Sequence, residues 1–393
     1  MTDPKVLAAQ YYEDFNRFAG DLYPNRYSHI FCLQLAEQTL EIKRLAQEKN
    51  SKLAVHYYPP PEFHEIADKL GDSLALSRFI NEAKSPRVDF QAVFFMAATA
   101  KMLAGDATRV FVSGGPEELG CSLVFGTDHI WLESWKRKNP EGLLITYINS
   151  DAYTKSISDF ISTSRNTAQI IAHAATQYPG KKILVLPDKF LGYVMKAKAV
   201  EILEKKDFSI DPDLIEVYEQ SFGGFNACCY VHEQFGHDAI EVAMIEHPEA
   251  VIMLHPECGC FSLCLSKLQQ GIIPYEKAII ASTEQMIKFA ESSESEEFIV
   301  STEPGLLYAL RKRLPDKKFI PVSAEAHCRY MKSNTFEKLI RSLKEDRMEV
   351  ILCDNCKFCT NPKVTYRDER TIHIPREVAN LVKPKIEIMN SFQ

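Results

Sequence analysis

The chain has 393 residues, of which 46% are apolar and 25% charged, and its formal net charge is −7. This composition excludes a disordered or fibrous protein, and at roughly 100 to 200 residues per domain the length allows several domains. The acidic balance provides no basic surface to offset phosphates, so we expect no nucleic-acid partner.

The first residues and the eleven cysteines bear on the compartment. The start, Met-Thr-Asp-Pro-Lys, lacks the basic and apolar regions of a signal peptide, and no window reaches the length of about eighteen apolar residues that a membrane span needs. Without an export signal, cysteines favour metal ligation over disulfides. We therefore predict a cytoplasmic protein with no membrane partner.

The N-terminal part of the chain predicts helices followed by a strand. Apolar residues from Ser28 to Gln47 recur near the spacing of one helical face, which indicates a packing helix. The next segment, Lys52 to Tyr58, predicts a short strand. It ends with His56 and Tyr58 on the same face, since residues two apart in a strand point the same way.

The next elements bring a hydroxyl and a cysteine. Phe63 to Leu70 predicts a helix, and Gly-Asp-Ser then places Ser73 near the start of another helix, where a plain cap is the commoner role. Ala92 to Leu103 predicts a strand running into a helix. After a glycine-rich turn comes Cys121, the first thiolate candidate.

A strand from Leu143 to Asn149 delivers Tyr147 and Asn149 at its end. Ser164 then leads a helical run. Hydroxyl residues at a helix start suit phosphate, because free amides and the helix dipole point outward there, although caps are commoner than phosphate sites. The same pattern recurs with Thr283.

The segment from Val251 to Cys258 predicts a buried parallel strand that ends at His255 and Glu257, and α/β sheets bind ligands at such strand ends. Cys229 provides a second thiolate candidate.

Strands and helices alternate along the chain, which predicts parallel sheets covered by helices. About ten strands are too many for one small sheet, so several sheets of three or four strands are expected. The predicted strands lie near Ala54, Phe94, Phe111, Ile145, Leu184, Ile252, Ile279, Ile299, Ile320 and Ile351.

Cys121, Cys229 and Cys328 are 108 and 99 residues apart. Three comparable α/β units, each donating one cysteine near its end, would bring three thiolates to one axis. No sequence repeat accompanies this spacing. We place the units at residues 1–122, 123–230 and 231–330, with a C-terminal segment, 331–393, that packs back on the first.

Twelve short blocks carry a resemblance, and they occur in order: 54–58, 71–74, 95–101, 120–123, 146–149, 163–166, 187–189, 229–233, 255–258, 282–283, 302–303 and 328–335. Together they resemble the quinolinate synthase family, the iron–sulfur enzymes of NAD biosynthesis, from about Ala36 to Met389. The resemblance implies three αβα domains around a pseudo-three-fold axis, with the active site at the centre.

The resemblance implies a 4Fe–4S cluster held by Cys121, Cys229 and Cys328. A cluster normally takes four thiolates, so three imply an iron free to act as a Lewis acid. The family condenses iminoaspartate with dihydroxyacetone phosphate, losing phosphate and two waters, to make quinolinate. A functional link to an enzyme that produces iminoaspartate follows from this chemistry.

The matching blocks also carry roles for other residues. By resemblance, the proton transfers and the binding of the triose fall to Glu257 as general base together with Tyr58, Tyr147, His56 and His255. Substrate contacts fall to Ser73, Asn149, Ser164 and Thr283.

Some features depart from the family pattern. Ala98 stands where the family has Glu, and the segment from Phe225 to Ala227 replaces Trp-x-Gly. A stretch inserted between Glu257 and Thr283 contains Cys260 and Cys264. These changes bear on rate and on the shape of the pocket.

Several cysteines remain open to more than one interpretation. Cys258 is interpreted as structural in preference to a ligand, and the three-residue offset to His232 favours Cys229 over Cys228. The Cys-x-x-Cys-x-x-Cys motif is compatible with zinc, a second iron–sulfur centre, a redox-sensitive disulfide or an unligated structural role. Its cysteines are Cys353, Cys356 and Cys359.

Two rival functions remain at this point. One is a related cluster enzyme acting on another small substrate, which Ala98 favours. The other is a binding protein whose cluster serves as a redox sensor, against which the acid–base residues argue because sensing needs none of them.

Overall fold

A computed structural model describes residues 3–235, 239–258, 273–354, 361 and 363–392. Within these residues the chain is an α/β protein with three sheets of seven, four and four strands. This confirms the predicted fold of three αβα units. The residues at which one unit gives way to the next remain a prediction.

The strands are short, and their bounds are β1 (Ser51–His56), β2 (Lys69–Gly71), β3 (Arg87–Gln91), β4 (Arg109–Val112), β5 (Leu143–Tyr147), β6 (Phe160–Ser162), β7 (Ile183–Leu186), β8 (Ile215–Val217), β9 (Val251–Leu254), β10 (Ala278–Ile280), β11 (Glu297–Ser301), β12 (Lys318–Pro321), β13 (Glu349–Cys353), β14 (Tyr366–Arg367) and β15 (Thr371–Pro375).

The helices between and around the strands are α1 (Pro4–Ala19), α2 (His29–Glu48), α3 (Ser73–Glu82), α4 (Phe94–Ala104), α5 (Ser122–Phe125), α6 (His129–Lys138), α7 (Ala152–Ile157), α8 (Thr167–Gln177), α9 (Lys189–Glu204), α10 (Tyr230–Glu233), α11 (Ala239–Glu246), α12 (Thr283–Ser292), α13 (Gly305–Arg313), α14 (Arg329–Lys332), α15 (Phe336–Glu345) and α16 (Arg376–Ser391).

The three sheets share one strand order. Each contains four parallel strands in which the second strand along the chain lies at one edge, followed by the first, the third and the fourth. The second unit has the order β6-β5-β7-β8, and the third has β10-β9-β11-β12. The repeat that spacing predicted is therefore present in the topology, although the sequence itself does not repeat.

The first sheet is larger than predicted. Strand β13 pairs antiparallel with β4, β15 pairs parallel with β13, and β14 pairs antiparallel with β15. The chain from Glu349 onward thus extends the sheet that begins at Ser51.

Two local predictions are wrong. Phe94 begins helix α4, and the strand that precedes this helix is β3. The apolar pattern did not reveal β3 because the strand contains Arg87 and Asp89, whose side chains are 3% and 0% exposed and form an ion pair of 2.7 Å inside the sheet. The predicted helix from Phe63 to Leu70 is instead a 3-10 turn over Pro61–Glu65 followed by β2.

The central strands β5, β7 and β9 are buried along their whole length, as expected for parallel strands covered on both faces. Helices α1 and α2 add a separate core against α15, in which Phe15, Leu35 and Leu339 are at most 2% exposed. Among the described residues, no helix combines the length and the apolar character that a membrane crossing requires.

Candidate functional site

One cavity lies where the carboxyl ends of the three sheets meet, which is the usual ligand position in parallel α/β folds. All the side chains predicted from sequence line this central cavity. They are His56, Tyr58, Ser73, Cys121, Tyr147, Asn149, Ser164, Cys229, His255, Glu257, Thr283 and Cys328.

The strand order explains how these residues converge. The first strand of each unit leads into acid–base and amide side chains, the second leads into a hydroxyl residue, and the fourth leads into a cysteine. The acid–base and amide residues are His56 and Tyr58 in the first unit, Tyr147 and Asn149 in the second, and His255 and Glu257 in the third. In the same order of units, the hydroxyl residues are Ser73, Ser164 and Thr283. The cysteines are Cys121, Cys229 and Cys328.

Cys121, Cys229 and Cys328 are free thiols, and each is the N-cap of a four-residue helix, α5, α10 or α14. Burial raises the pKa of Cys121 to about 12 and that of Cys328 to about 11. Burial and the Glu257 charge raise the pKa of Cys229 well above its ordinary value. Three thiolates here would repel one another, so these cysteines stay protonated unless a metal centre supplies positive charge.

Glu257 is contacted from several sides. Its Oε1 accepts a hydrogen bond of 3.0 Å from Asn149 Nδ2, and its Oε2 lies 3.2 Å from His232 Nδ1 and 3.5 Å from His255 Nδ1. Burial acts to raise the pKa of Glu257, but the close imidazoles of His232 and His255 outweigh it and lower the pKa to about 2. The group is therefore a carboxylate that can accept a proton or face a cation.

From the sequence, His232 served only to favour Cys229 over Cys228, yet its side chain lines this cavity. Its ring stacks on His255 with centroids 5.0 Å apart. Ligand atoms of Cys229, His232 and Glu257 all lie within 4.8 Å of one another, a set that can bind a metal ion. The three-residue offset from Cys229 to His232 was the available signal.

Burial keeps two imidazoles and two phenols of the cavity neutral. It lowers the pKa of His56 and of His255 to about 4. It also raises the pKa of Tyr58 and of Tyr147 well above the ordinary value. The phenols thus keep their protons at neutral pH and can donate hydrogen bonds.

The hydroxyl of Thr302 links Tyr58 to His232 across the cavity. Tyr58 Oη lies 2.7 Å from Thr302 Oγ1, which in turn lies 3.2 Å from His232 Nε2. This chain of hydrogen bonds joins the first unit to the third and fixes the orientation of the Tyr58 phenol.

The three hydroxyl residues form one end of the cavity, which we call the anion end. Ser73 and Thr283 are the first residues of α3 and α12, and Ser164 lies three residues before α8 begins at Thr167. Helix starts present free N–H groups and positive potential, so this end is suited to phosphate or carboxylate.

An interlock of three side chains, one from each unit, stands beside the anion end. Asp72 Oδ2 accepts hydrogen bonds from Arg165 Nη2 at 3.0 Å and from Ser282 Oγ at 3.3 Å. Asp72 and Ser282 are also the N-caps of α3 and α12. The interlock therefore fixes the relative position of two of the hydroxyl residues.

Two buried carboxylates follow the third strands of the second and third units, and sequence reasoning gave them no role. Asp188 Oδ2 accepts from the backbone N–H of Cys229 at 3.0 Å. Glu303 Oε1 accepts from the backbone N–H of Cys328 at 3.2 Å and from Lys332 Nζ at 2.9 Å. The Pro-Asp and Thr-Glu pairs directly after buried strands were the signal for them.

The remaining cysteines divide between described and undescribed residues. Cys258 is fully buried and disulfide-bonded, so it offers no thiolate to the cavity. Cys353 is also disulfide-bonded. The hypotheses on Cys260, Cys264, Cys356 and Cys359 concern residues outside the described ranges.

Ala98 lies away from the central cavity. It lines a separate cavity of about 320 Å³ on the far side of Cys121, together with Phe125 and His129. The substitution relative to the family pattern therefore changes the packing behind one cysteine and leaves the acid–base residues untouched.

Comparison with known proteins matches residues 40–361 to a family model described as quinolinate synthetase A protein. A quinolinate synthase of Pyrobaculum aerophilum is 34% identical over 313 residues, covering 79% of this chain and 92% of the relative. One of Thermus thermophilus is 32% identical over 351 residues, covering 89% and 95%. One of Mycobacterium tuberculosis is 32% identical over 310 residues, covering 79% and 82%.

Proposed function

Because the chain belongs to the quinolinate synthetase A family, we propose that it is itself a quinolinate synthase. It condenses iminoaspartate with dihydroxyacetone phosphate to quinolinate, with loss of phosphate and two waters, and so acts as a transferase in NAD biosynthesis. We assign it to the cytoplasm and link it to an enzyme that produces iminoaspartate.

The observation that carries the proposal is the composition of the central cavity. Three free cysteines, an ionised carboxylate, two neutral imidazoles, two phenols and three hydroxyls, two of them at helix starts, face one space. A condensation that eliminates phosphate and water needs an anion site, proton donors and acceptors, and a Lewis acid, and this cavity has side chains suited to each.

Cys121, Cys229 and Cys328 are the residues that would hold the 4Fe–4S cluster. They fit such a group because they are free, partly buried and gathered in one cavity, and because a metal centre would stabilise their thiolate forms. When bound through three cysteines, the cluster supplies an iron without a protein ligand, which serves as a Lewis acid for dehydration.

The proton transfers fall to the first-strand residues. Glu257 is ionised and accepts protons from the condensing carbon, with Asn149 holding its Oε1 in place. Tyr58 and Tyr147 retain their protons and donate hydrogen bonds to developing oxyanions, and neutral His56 and His255 orient hydroxyl groups of the triose.

Binding of the anionic groups falls to the anion end. Ser73, Ser164 and Thr283 donate hydroxyl hydrogen bonds to the phosphate of the triose or to a carboxylate of iminoaspartate. The amides at the starts of α3 and α12 add positive potential on the same side. The phosphate group of the triose is thus bound at the anion end, where it is released in the reaction.

The proposal is tested with anaerobic protein reconstituted with iron and sulfide. Supplied with iminoaspartate and dihydroxyacetone phosphate, it should form quinolinate and contain about four irons per chain, the number in one cubane cluster. Cys229→Ala should lose both properties. Cys228→Ala is the matched control, since Cys228 is the adjacent buried thiol and does not line the central cavity.

The two rival functions predict different outcomes. Turnover of another small substrate, without turnover of iminoaspartate and dihydroxyacetone phosphate, would favour the related cluster enzyme. Saturable binding of dihydroxyacetone phosphate by cluster-loaded protein, without product, would favour the redox sensor. Equal loss of iron in Cys228→Ala and Cys229→Ala would contradict the assignment of the cysteine ligands.

A further inference from the structure

A second cleft opens on the outside of the anion end, between the second and third units. This outer cleft has a volume of about 310 Å³ and is lined by parts of α8, α9 and α12 and by the end of β10. Its charged residues are Arg165, Lys198, Lys205 and Glu201, an excess of two positive charges. The excess is local, because the chain as a whole carries a net charge of −7.

The outer cleft and the central cavity share a wall. Ser164 lines both spaces. Arg165, the next residue, turns its Nη2 toward Asp72 in the interlock and is itself part of the lining of the cleft. Arg165 is therefore shared by the interlock and the outer cleft.

Two nitrogen donors in the cleft have no hydrogen-bond acceptor among the described residues, although the Arg165 guanidinium is ion-paired with Asp72 through Nη2. Arg165 Nε is buried, and among the described residues it has no hydrogen-bond acceptor. Lys198 is partly buried and has no ion pair or hydrogen bond within the same residues, and burial lowers its pKa. A donor without a protein acceptor favours an anionic ligand that supplies one.

We propose that the outer cleft is a binding site for a phosphate dianion, free or carried on a small ester, with the Arg165 guanidinium and Lys198 Nζ as its principal donors. The guanidinium has five N–H donors, so it can bind the anion while Nη2 remains on Asp72. Lys205 adds charge at the solvent side. That the natural ligand is the phosphate released in catalysis rests on the proposed function.

The test measures binding and does not involve turnover. Inorganic phosphate is titrated calorimetrically into the full-length protein, as purified and after reconstitution, in a Ser73→Ala background that weakens binding at the anion end. Lys198→Gln should weaken the remaining phosphate site about tenfold, equivalent to about 1.4 kcal/mol. Lys198→Arg should keep it within twofold. A parallel titration with dihydroxyacetone phosphate separates the free anion from its ester.

The matched control is Lys196→Gln, which removes a lysine from the same helix that does not line the cleft. It should leave phosphate affinity unchanged. Equal affinity in Lys198→Gln and Lys196→Gln would overturn the proposal. Because the readout is phosphate affinity, a protein without quinolinate synthesis but with Lys198-dependent binding would refute the proposed function and retain the cleft. An active protein whose phosphate affinity does not depend on Lys198 would retain the proposed function and refute the phosphate site in the cleft.

Discussion

Asp188 Oδ2 accepts a hydrogen bond of 3.0 Å from the backbone N–H of Cys229. Its other oxygen, Oδ1, accepts from Leu191 N at 2.9 Å as the N-cap of α9. One carboxylate thus ties a proposed cluster ligand to the rigid end of a long helix. Glu303 does the same in the third unit, with its two oxygens on the amides of Cys328 and Gly305.

We therefore expect Asp188→Asn and Glu303→Gln to bind a cluster less firmly. An amide retains one acceptor oxygen and places an NH₂ against a backbone N–H, so one of the two hydrogen bonds is lost. Loss of a residue that hydrogen-bonds to a metal ligand typically lowers metal affinity 10- to 100-fold. The measurement is the rate at which a chelator removes iron anaerobically, expected to rise about tenfold or more for each variant.

Asp128→Ala is the control for loss of a helix cap, because Asp128 caps α6 through the amides of Ile130 and Trp131 and makes no hydrogen bond to a cysteine within the described residues. It should lower the free energy of unfolding by about 1 kcal/mol without accelerating iron loss. Iron loss at the wild-type rate in folded Asp188→Asn and Glu303→Gln would contradict a positioning role.

Replacing Glu257 with glutamine should abolish proton acceptance while keeping the shape of the side chain. The expected result is a fall in kcat of about 10²- to 10⁴-fold, the usual contribution of a general base. Iron content should stay at the wild-type level. Glu233→Gln, an exposed acid on α10, should leave kcat unchanged. If iron is lost together with activity, Glu257 acts instead as a metal ligand alongside Cys229 and His232.

The anion end should control substrate binding more than chemistry. Ser73→Ala removes a hydroxyl donor, and hydrogen bonds to charged groups are worth about 1.5 to 3 kcal/mol. We expect KM for dihydroxyacetone phosphate to rise at least about tenfold with kcat within threefold, as for loss of uniform binding. Ser77→Ala on the same helix is the control, since within the described part of the chain its hydroxyl bonds only to Leu74 O, at 2.8 Å. A fall in kcat alone would refute this assignment.

Acid should destabilise the cluster-free protein through His56 and His255, which are buried, and His64, which is half-buried. Burial lowers the pKa of His56 and His255 to about 4 and that of His64 to about 3, from an ordinary value of 6.5. Between pH 6.5 and about 4, the unfolded chain binds protons that the folded chain does not. The stability they provide is therefore complete above pH 6.5 and falls as the pH drops, by up to about 1.4 kcal/mol per pH unit for each histidine.

Urea midpoints at pH 7.5, 6 and 5 measure this dependence. His64→Gln can still donate to Tyr57 O, the partner that lies 3.0 Å from His64 Nε2. It should reduce the slope by about one third, because it removes one of three similar contributions. A midpoint that does not move between pH 7.5 and pH 5 would show that these imidazoles are protonated in the folded protein.

The sequence by itself located the side chains of the central cavity, because parallel α/β folds place ligands beyond the ends of buried strands. His56 and Tyr58, or His255 and Glu257, follow short apolar runs that a strand pattern identifies. The spacing of Cys121, Cys229 and Cys328 likewise indicated three similar units, and helix α2 was visible from its apolar periodicity.

Only the tertiary structure decided the contacts between units, since these join residues far apart along the chain. Strand β3 was hidden because its polar residues are neutralised by the buried pair of Arg87 and Asp89, a feature that no apolar pattern reveals. The partners of Asp188 and Glu303 are backbone amides from distant loops, and backbone groups carry no mark in the sequence. Burial, which sets the direction of the pKa shifts of His56, His255, Tyr58 and Tyr147, also exists only once the three sheets have packed together.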